Sequence, residues 1–293
     1  MFSGQAWGGQ PYSTLKKGGS TGVYEACIQQ VENAKSTYPT IVYNAITNIH
    51  GEQDGLNNNT NYAANLNEWQ NDFNVDIKAK TGQTEDVVMY IDQTSSGSGY
   101  GFNGGINELT FPSPIQQLLA HESYSNIVLV CPKYFLPYTD HSHITNMAQR
   151  ILGEYHAKAQ KVGNTYNPLR PSSITGSGNS VVINFTGNVG NLAFDTTKVN
   201  SAVNMGFSYA DDSSRTITAV NITGPNQVTI TLSGTIGANA VVAYAYHNGD
   251  GGAANQIAGL GDRGNLRDSD TTQSIYSSYI LHNWCVTFRK AVN

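Results

Sequence analysis

In the first half of the chain, stripes of apolar residues at helical spacing alternate with short β-branched or apolar runs. Val23, Ala26, Cys27, Val31 and Ala34, with a polar exception at Gln30, form one stripe. Tyr62, Leu66, Trp69 and Phe73 form a second, at i, i+4, i+7 and i+11. Residues 40–49, 87–91 and 127–131 are short runs of the kind that make buried strands. Residues 114–121 predict a short helix with Ser113 as its N-cap, and residues 144–159 a longer one. Strands separated by helices imply βαβ units, and therefore a parallel sheet covered on both faces.

After the segment Tyr166-Asn-Pro-Leu-Arg-Pro171 the pattern changes. Residues 180–185, 216–222, 227–233 and 240–246 are short strand-like runs separated by Gly, Asn, Pro and Ser, which predicts an antiparallel sandwich or barrel. The expected organisation is an α/β domain over 1–165 and a β-sandwich-like domain over 166–293. Runs 95–105 and 249–254, rich in Gly and Ser, predict loops, and no internal repeat is visible.

Composition narrows the function classes. A chain of 293 residues is long enough for two domains with their own cores. Only 13% of residues are charged, so Asn, Thr, Ser and Gln carry the solubility, a balance common in extracellular and virion-surface β-rich proteins. A net charge of −5 gives no footprint for a nucleic-acid partner. No run approaches the roughly 18 apolar residues of a membrane span, and the N-terminus lacks a signal-peptide pattern. Cys27, Cys131 and Cys285 are odd in number, far apart and in apolar contexts, so buried free thiols are expected.

In parallel sheets ligands bind beyond the carboxyl ends of the strands. Three predicted loops lie there: His50-Gly51-Glu52-Gln53-Asp54, Asp92-Gln93 and Asp140-His141-Ser142-His143. An acid three residues before a histidine can orient the imidazole and stabilise its charge during base catalysis. The glycines of Trp7-Gly8-Gly9-Gln10-Pro11 would let backbone N–H groups approach an oxyanion. Each segment also has a plainer explanation. Asp140 would cap the helix beginning near Ile144, His50–Asp54 would be a turn with solvated acids, and Gly8-Gly9 would be a turn.

Taken in order, these segments resemble the SGNH-type esterases, in particular their sialate O-acetylesterase-like and acetylxylan-esterase-like branch. Trp7-Gly8-Gly9-Gln10-Pro11-Tyr12-Ser13 is similar to that family's second block, and Ile49-His50-Gly51-Glu52-Gln53-Asp54 to its third, usually Q-G-E-x-D or G-x-N-D. Asp140-x-x-His143 with Ile144-Thr145-Asn146 is similar to the fifth. The second half, with Gly206-Phe207, Gly264-Asn265-Leu266-Arg267-Asp268 and Asn283-Trp284-Cys285-Val286, resembles β-domains attached to such esterases in phage tail proteins.

The resemblance implies a flavodoxin-like three-layer α/β fold and serine–histidine–aspartate hydrolysis of O-acetyl groups on a decorated polysaccharide, without a cofactor. His143 would be the base and Asp140 its orienter. Gly9 and His50 would stabilise the oxyanion, and Glu52 would assist the histidine or brace its loop. A virion (phage tail) or extracellular location follows, and a homotrimer would suit a tail protein.

Two departures qualify the match. The family's first block, a G-D-S or G-Q-S motif carrying the nucleophile, should precede the Gly-Gly turn, where Ser3 is the only serine. The serine block is therefore expected upstream of this sequence or on a companion chain, and the chain alone is expected to be inactive and unstable. His50 stands where the family has glutamine, so donation from it would depend on pH.

Two other classes remain open from the sequence. One is a non-catalytic glycan-binding or virion-attachment module on an esterase scaffold. The other is a Zn-dependent deacetylase holding the metal with His141, His143 and Asp140, completed by His50 or Asp54. His121, His156, His247 and His282 are expected to be structural, and Arg263, Arg267 and Asp268 to lock a loop through ion pairs.

Overall fold

The computed structural model describes residues 4–102, 105–106, 109–248 and 262–293. Ser3 and the 249–254 loop lie outside them, as do two residues of the 95–105 run. The first half contains α1 (Tyr12–Leu15), α2 (Val23–Thr37), β1 (Ala45–Asn48), α3 (Glu52–Leu56), α4 (Tyr62–Thr81), β2 (Val88–Gln93), α5 (Ser113–Ser123), β3 (Ile127–Pro132) and α6 (Asn146–Val162). The strands form a parallel sheet in the order β1-β2-β3, with Ile46 opposite Met89 and Tyr90 opposite Val128. Helices α4 and α5 pack on each other and on β2 and β3, and α6 packs on the same strands away from them.

The helical stripes build this layer. In α4, Tyr62, Leu66, Trp69, Phe73 and Ile77 are all buried, and the helix stops at Gly82, whose φ of +74° is the left-handed geometry favoured at a helix end. Every residue of β3 is buried, as is all of β2 after Val88, as expected for parallel strands covered on both faces. β1 differs: Thr47 is exposed and its other residues are only half-buried.

Three local expectations change. Only 45–48 of the 40–49 run is strand, because the Gln83 side chain bonds both the N–H (2.9 Å) and the carbonyl (2.8 Å) of Tyr43 in place of a neighbouring strand. Ser113 does not cap α5. It is the helix's first residue, and its hydroxyl donates to the Gly51 carbonyl at 2.7 Å. Asp140 does not cap α6 either, since Thr145 occupies that position and accepts from the Ala148 N–H.

The second half is antiparallel. β4 (Arg170–Ser177), β5 (Ser180–Thr186), β6 (Ala193–Phe194), β7 (Phe207–Ala210), β8 (Ile217–Gly224), β9 (Gln227–Leu232), β10 (Val241–Tyr244), β11 (Leu266–Arg267) and β12 (Phe288–Ala291) make three sheets. Their orders are β4-β5-β9-β8, β12-β10-β7 and β11-β6. Burial alternates along β5 and β9, the period of a sheet with one wet face. Arg267 makes the expected kind of ion pair, with Asp195 at 2.8 Å, whereas buried Asp268 is held by accepting the N–H groups of Val189 and Asn283.

The secondary structure changes character near Tyr166, but packing runs across that point in one apolar cluster. Tyr166 donates to the Val130 carbonyl (3.0 Å) and Tyr134 to that of Cys285 (2.7 Å), and the Gln93 amide joins Thr287 through both its oxygen and its nitrogen. The C-terminal segments thereby close over the β3 side of the sheet. All three cysteines are free, with Cys131 and Cys285 buried and Cys27 half-buried. Among the described residues no helix is long and apolar enough to cross a membrane.

Asp262 tests the junction of the two halves. Buried, it accepts hydrogen bonds from the Ser98 N–H (3.0 Å), the Ser98 hydroxyl (2.6 Å) and the Asn248 N–H (3.1 Å). Burial outweighs these bonds and pushes its carboxyl up to about 6. A carboxyl raised in the fold opposes folding once it must ionise, so its penalty grows as pH rises from about 4 to above 6 and reaches roughly 3 kcal/mol. Thermal unfolding across pH 4–7.5 should therefore move in favour of Asp262→Asn relative to the parent as pH rises. A difference that stays flat with pH would disprove the assignment.

Candidate active site

The loops leaving β1 and β3 meet the 7–11 turn and the segment after β2 around a cleft of about 290 Å³. Trp7, Gly9, His50, Glu52, Tyr100 and His143 are on its wall. Four of the five residues singled out in the sequence thus share one cleft, and the fifth, Asp140, stands directly behind His143.

Asp140 and His143 are brought together within one tetrapeptide. Asp140 accepts the N–H groups of Ser142 and His143, both at 2.8 Å, while its second oxygen lies 2.8 Å from His143 Nδ1. Burial works against the charged carboxylate, but the two amides and the imidazole outweigh it and hold the carboxyl well below the usual range. Because the carboxylate can only accept, Nδ1 carries a proton and Nε2 is left as the basic atom. Among the described residues no hydroxyl is hydrogen-bonded to His143 Nε2; Ser142 Oγ lies on the Nδ1 side, at 3.3 Å.

His50 lines the cleft in a bracing role, not as an oxyanion donor. Its Nε2 is 3.0 Å from the Gln10 carbonyl and its Nδ1 is 2.6 Å from the Tyr62 hydroxyl. A carbonyl only accepts, so Nε2–H donates to Gln10 and Nδ1 accepts from Tyr62. Burial pulls the imidazole's pKa down despite Asp54 at 3.6 Å, which keeps the ring neutral in this arrangement. Both nitrogens are thus spent on holding the Gly8-Gly9-Gln10 turn against α4. Asp54 fixes the same turn by accepting the Tyr12 N–H at 2.8 Å. Gly9, with φ of +68°, is free to take the turn geometry, and among the described residues its N–H has no acceptor. Gly51 is required on both counts: its φ is +128°, and a Cβ there would lie 2.9 Å from the Gln117 amide. That amide in turn donates to the His50 carbonyl at 2.9 Å.

Glu52 is bonded to groups other than His143. It accepts from the Ser96 hydroxyl and pairs with Lys133 Nζ at 3.1 Å. Lys133 is buried, and its ammonium also meets fully buried Asp92 at 3.0 Å, with His156 Nε2 3.8 Å from the same carboxylate. Desolvation lowers the Lys133 pKa, but Asp92 and Glu52 more than reverse this and raise it. Lys133 and His156 likewise overcome burial to hold the Asp92 carboxyl below its ordinary value. Sequence reasoning missed Lys133 altogether and placed His156 only as a structural residue.

The alternative metal set is not assembled. Among the described residues no three His, Cys, Asp or Glu side chains converge as ligands. His141 packs edge-on against Tyr100 at 4.5 Å, and His50 is committed as above.

Breaking a buried ion pair on one side leaves an uncompensated charge, at about 3–5 kcal/mol. Lys133→Met should lower the urea-unfolding free energy by that amount, and adding Asp92→Asn should recover part of the loss. A single-variant loss under about 1 kcal/mol would show that the network does not hold these loops.

No family model matches the chain, and no curated protein matches it by sequence. Among solved structures, two of the bacterial S-layer protein SbsC cover 92% of this chain at TM-scores of only 0.24 and 0.26, with 10% identity, over 53% and 30% of their own lengths. The crystal structure of a carbohydrate acetylesterase from Xanthomonas citri covers 97% of this chain at a TM-score of 0.54 and 15% identity. This chain spans 59% of the length of that acetylesterase and has an esterase-like α/β fold followed by a β-rich part.

Proposed function

We propose that this chain forms the acid–base half of a carbohydrate O-acetylesterase of the SGNH type, acting on an acetylated polysaccharide as part of a phage tail or another extracellular assembly. The observation that carries the reading is the Asp140–His143 pair at 2.8 Å, opening onto a cleft shared with the Gly9 turn. The likeness in fold to a carbohydrate acetylesterase supports it, and the low charge and abundant Asn, Thr and Ser suit an extracellular setting. A serine from outside the described residues completes the site.

In this mechanism His143 Nε2 takes the serine hydroxyl proton as the oxygen attacks the acetyl carbonyl carbon. The carbonyl electron pair moves onto oxygen, facing the Gly9 N–H. Collapse breaks the bond to the sugar oxygen, which leaves with the proton from Nε2. Water, deprotonated by the same nitrogen, then releases acetate and restores the serine. Asp140 keeps Nδ1–H in place and stabilises the imidazolium.

In the completed enzyme, His143→Ala should reduce acetate release from acetylated polysaccharide to background, and Asp140→Asn should cost roughly 10²–10⁴-fold in kcat. Full turnover in either variant would overturn the assignment. If the isolated chain hydrolyses p-nitrophenyl acetate robustly, in a manner lost with His143→Ala but indifferent to Ser3→Ala, no external serine is needed.

A further inference from the structure

We propose that the cleft selects neutral glycans: a sugar ring lies against the exposed indole of Trp7, and uronates and other acidic sugars are turned away by the charge around the site. That the sugar carries an acetyl group rests on the esterase reading above; the indole platform and the charge do not.

The platform follows from burial. Of the three tryptophans, Trp69 and Trp284 are buried, whereas Trp7 is 56% exposed and stands on the cleft wall beside Gly8 and Gly9. An indole face is electron-rich and attracts partly positive hydrogens, and it is also a large apolar surface. The C–H face of a pyranose matches it on both counts, while the hydroxyls at the ring's rim stay free for polar partners. Gln10, Gln53 and Ser142, all uncharged, add such polar groups to the same wall. At about 290 Å³ the cleft is at the low end for small-molecule sites, so it houses one sugar unit and leaves the rest of a chain outside.

Electrostatics then choose among glycans. No lysine or arginine lines the cleft, and the residues outside the described set include none. Glu52 is on the wall, Asp140 is bonded to His143, and fully buried Asp92 shares the Lys133 ammonium with Glu52. Three carboxylates are thus set against one buried ammonium, which two of them already share. Tyr100 and the imidazoles of His50, His141 and His143 are the wall's other titratable groups. A carboxylate on the sugar would give up hydration to enter a site with a surplus of its own sign, and a concave site focuses that field. A neutral ring meets no such cost.

The probes are acetylated cellotetraose and the same tetramer oxidised at each C6 to the uronate, so that charge is the main difference between them. Each is titrated into the full chain by calorimetry at pH 8, above the ordinary imidazole range, with tryptophan fluorescence followed alongside. Salt is set at about 20 mM and then at about 500 mM, either side of the range in which charges become screened. At low salt the neutral tetramer should bind at least tenfold more tightly than the uronate. At high salt that gap should narrow while the neutral affinity holds. Trp7→Ala should weaken the neutral tetramer tenfold or more, and Trp7→Phe should keep most of the affinity. Uronate binding as tight as the neutral form overturns the proposal, as does an unchanged affinity in Trp7→Ala or a neutral tetramer that fails to bind at millimolar concentration. The tetramer without acetyl groups separates this proposal from the esterase reading. Equal affinity with and without them leaves the neutral selectivity standing and counts against the esterase. Tight binding of the acetylated uronate that is lost with its acetyl groups has the opposite meaning.

Discussion

The Lys133 ammonium holds the cleft end of the sheet together. Its two carboxylate partners and its own backbone follow three different strands: Glu52 opens the helix after β1, Asp92 lies at the end of β2, and Lys133 follows β3 directly. Parallel strands are joined at their middles by peptide hydrogen bonds, but nothing in the ladder fixes where their exit loops go. One buried cation shared by two anions does. Removing the Lys133 ammonium would leave two carboxylates without their shared cation, one of them fully buried, so the loops are committed together. The cleft is built on top of this junction, with Glu52 forming part of its wall and Ser96 tied to the same carboxylate.

A second constraint is the asymmetry of the sheet. On the β3 side, the C-terminal half supplies hydrogen bonds to Val130 and Gln93 and an unbroken apolar contact. That is why the β-rich half cannot be regarded as a mere appendage: it does for one edge what a helix or strand would do in a smaller domain. Among the described residues the β1 side receives no such cover, and the apolar surface there is shared between α2, α4 and residues 5–8.

Much of this was legible in the sequence because it depends on near neighbours. The Tyr62-Leu66-Trp69-Phe73 stripe fixes α4, and the 127–131 run fixes β3, since burial on both faces leaves a continuous apolar signature. Asp140 and His143 were legible for the same reason, their interaction being complete within four residues. What was not legible depends on distant partners. Nothing around Lys133 marks it out, because its meaning lies in Asp92 and Glu52 on other loops. The N-cap assigned to Ser113 failed because its hydroxyl found the Gly51 carbonyl, and the 40–49 run was cut short by the Gln83 side chain. His50 lines the cleft, but its role turned on Tyr62 and the Gln10 carbonyl, which decide where its one proton points.

The Asp140–His143 loop has a mechanical consequence. Its carboxylate is fastened to the amides of the residues that carry the imidazole, so the two groups behave as a single rigid fixture attached to the start of α6. Displacing that fixture changes how far the imidazole reaches across the cleft while leaving its alignment with the carboxylate untouched. Position and alignment are therefore set separately here: the place of the loop decides where the imidazole stands in the cleft, and the loop's own hydrogen bonds decide how it meets its carboxylate.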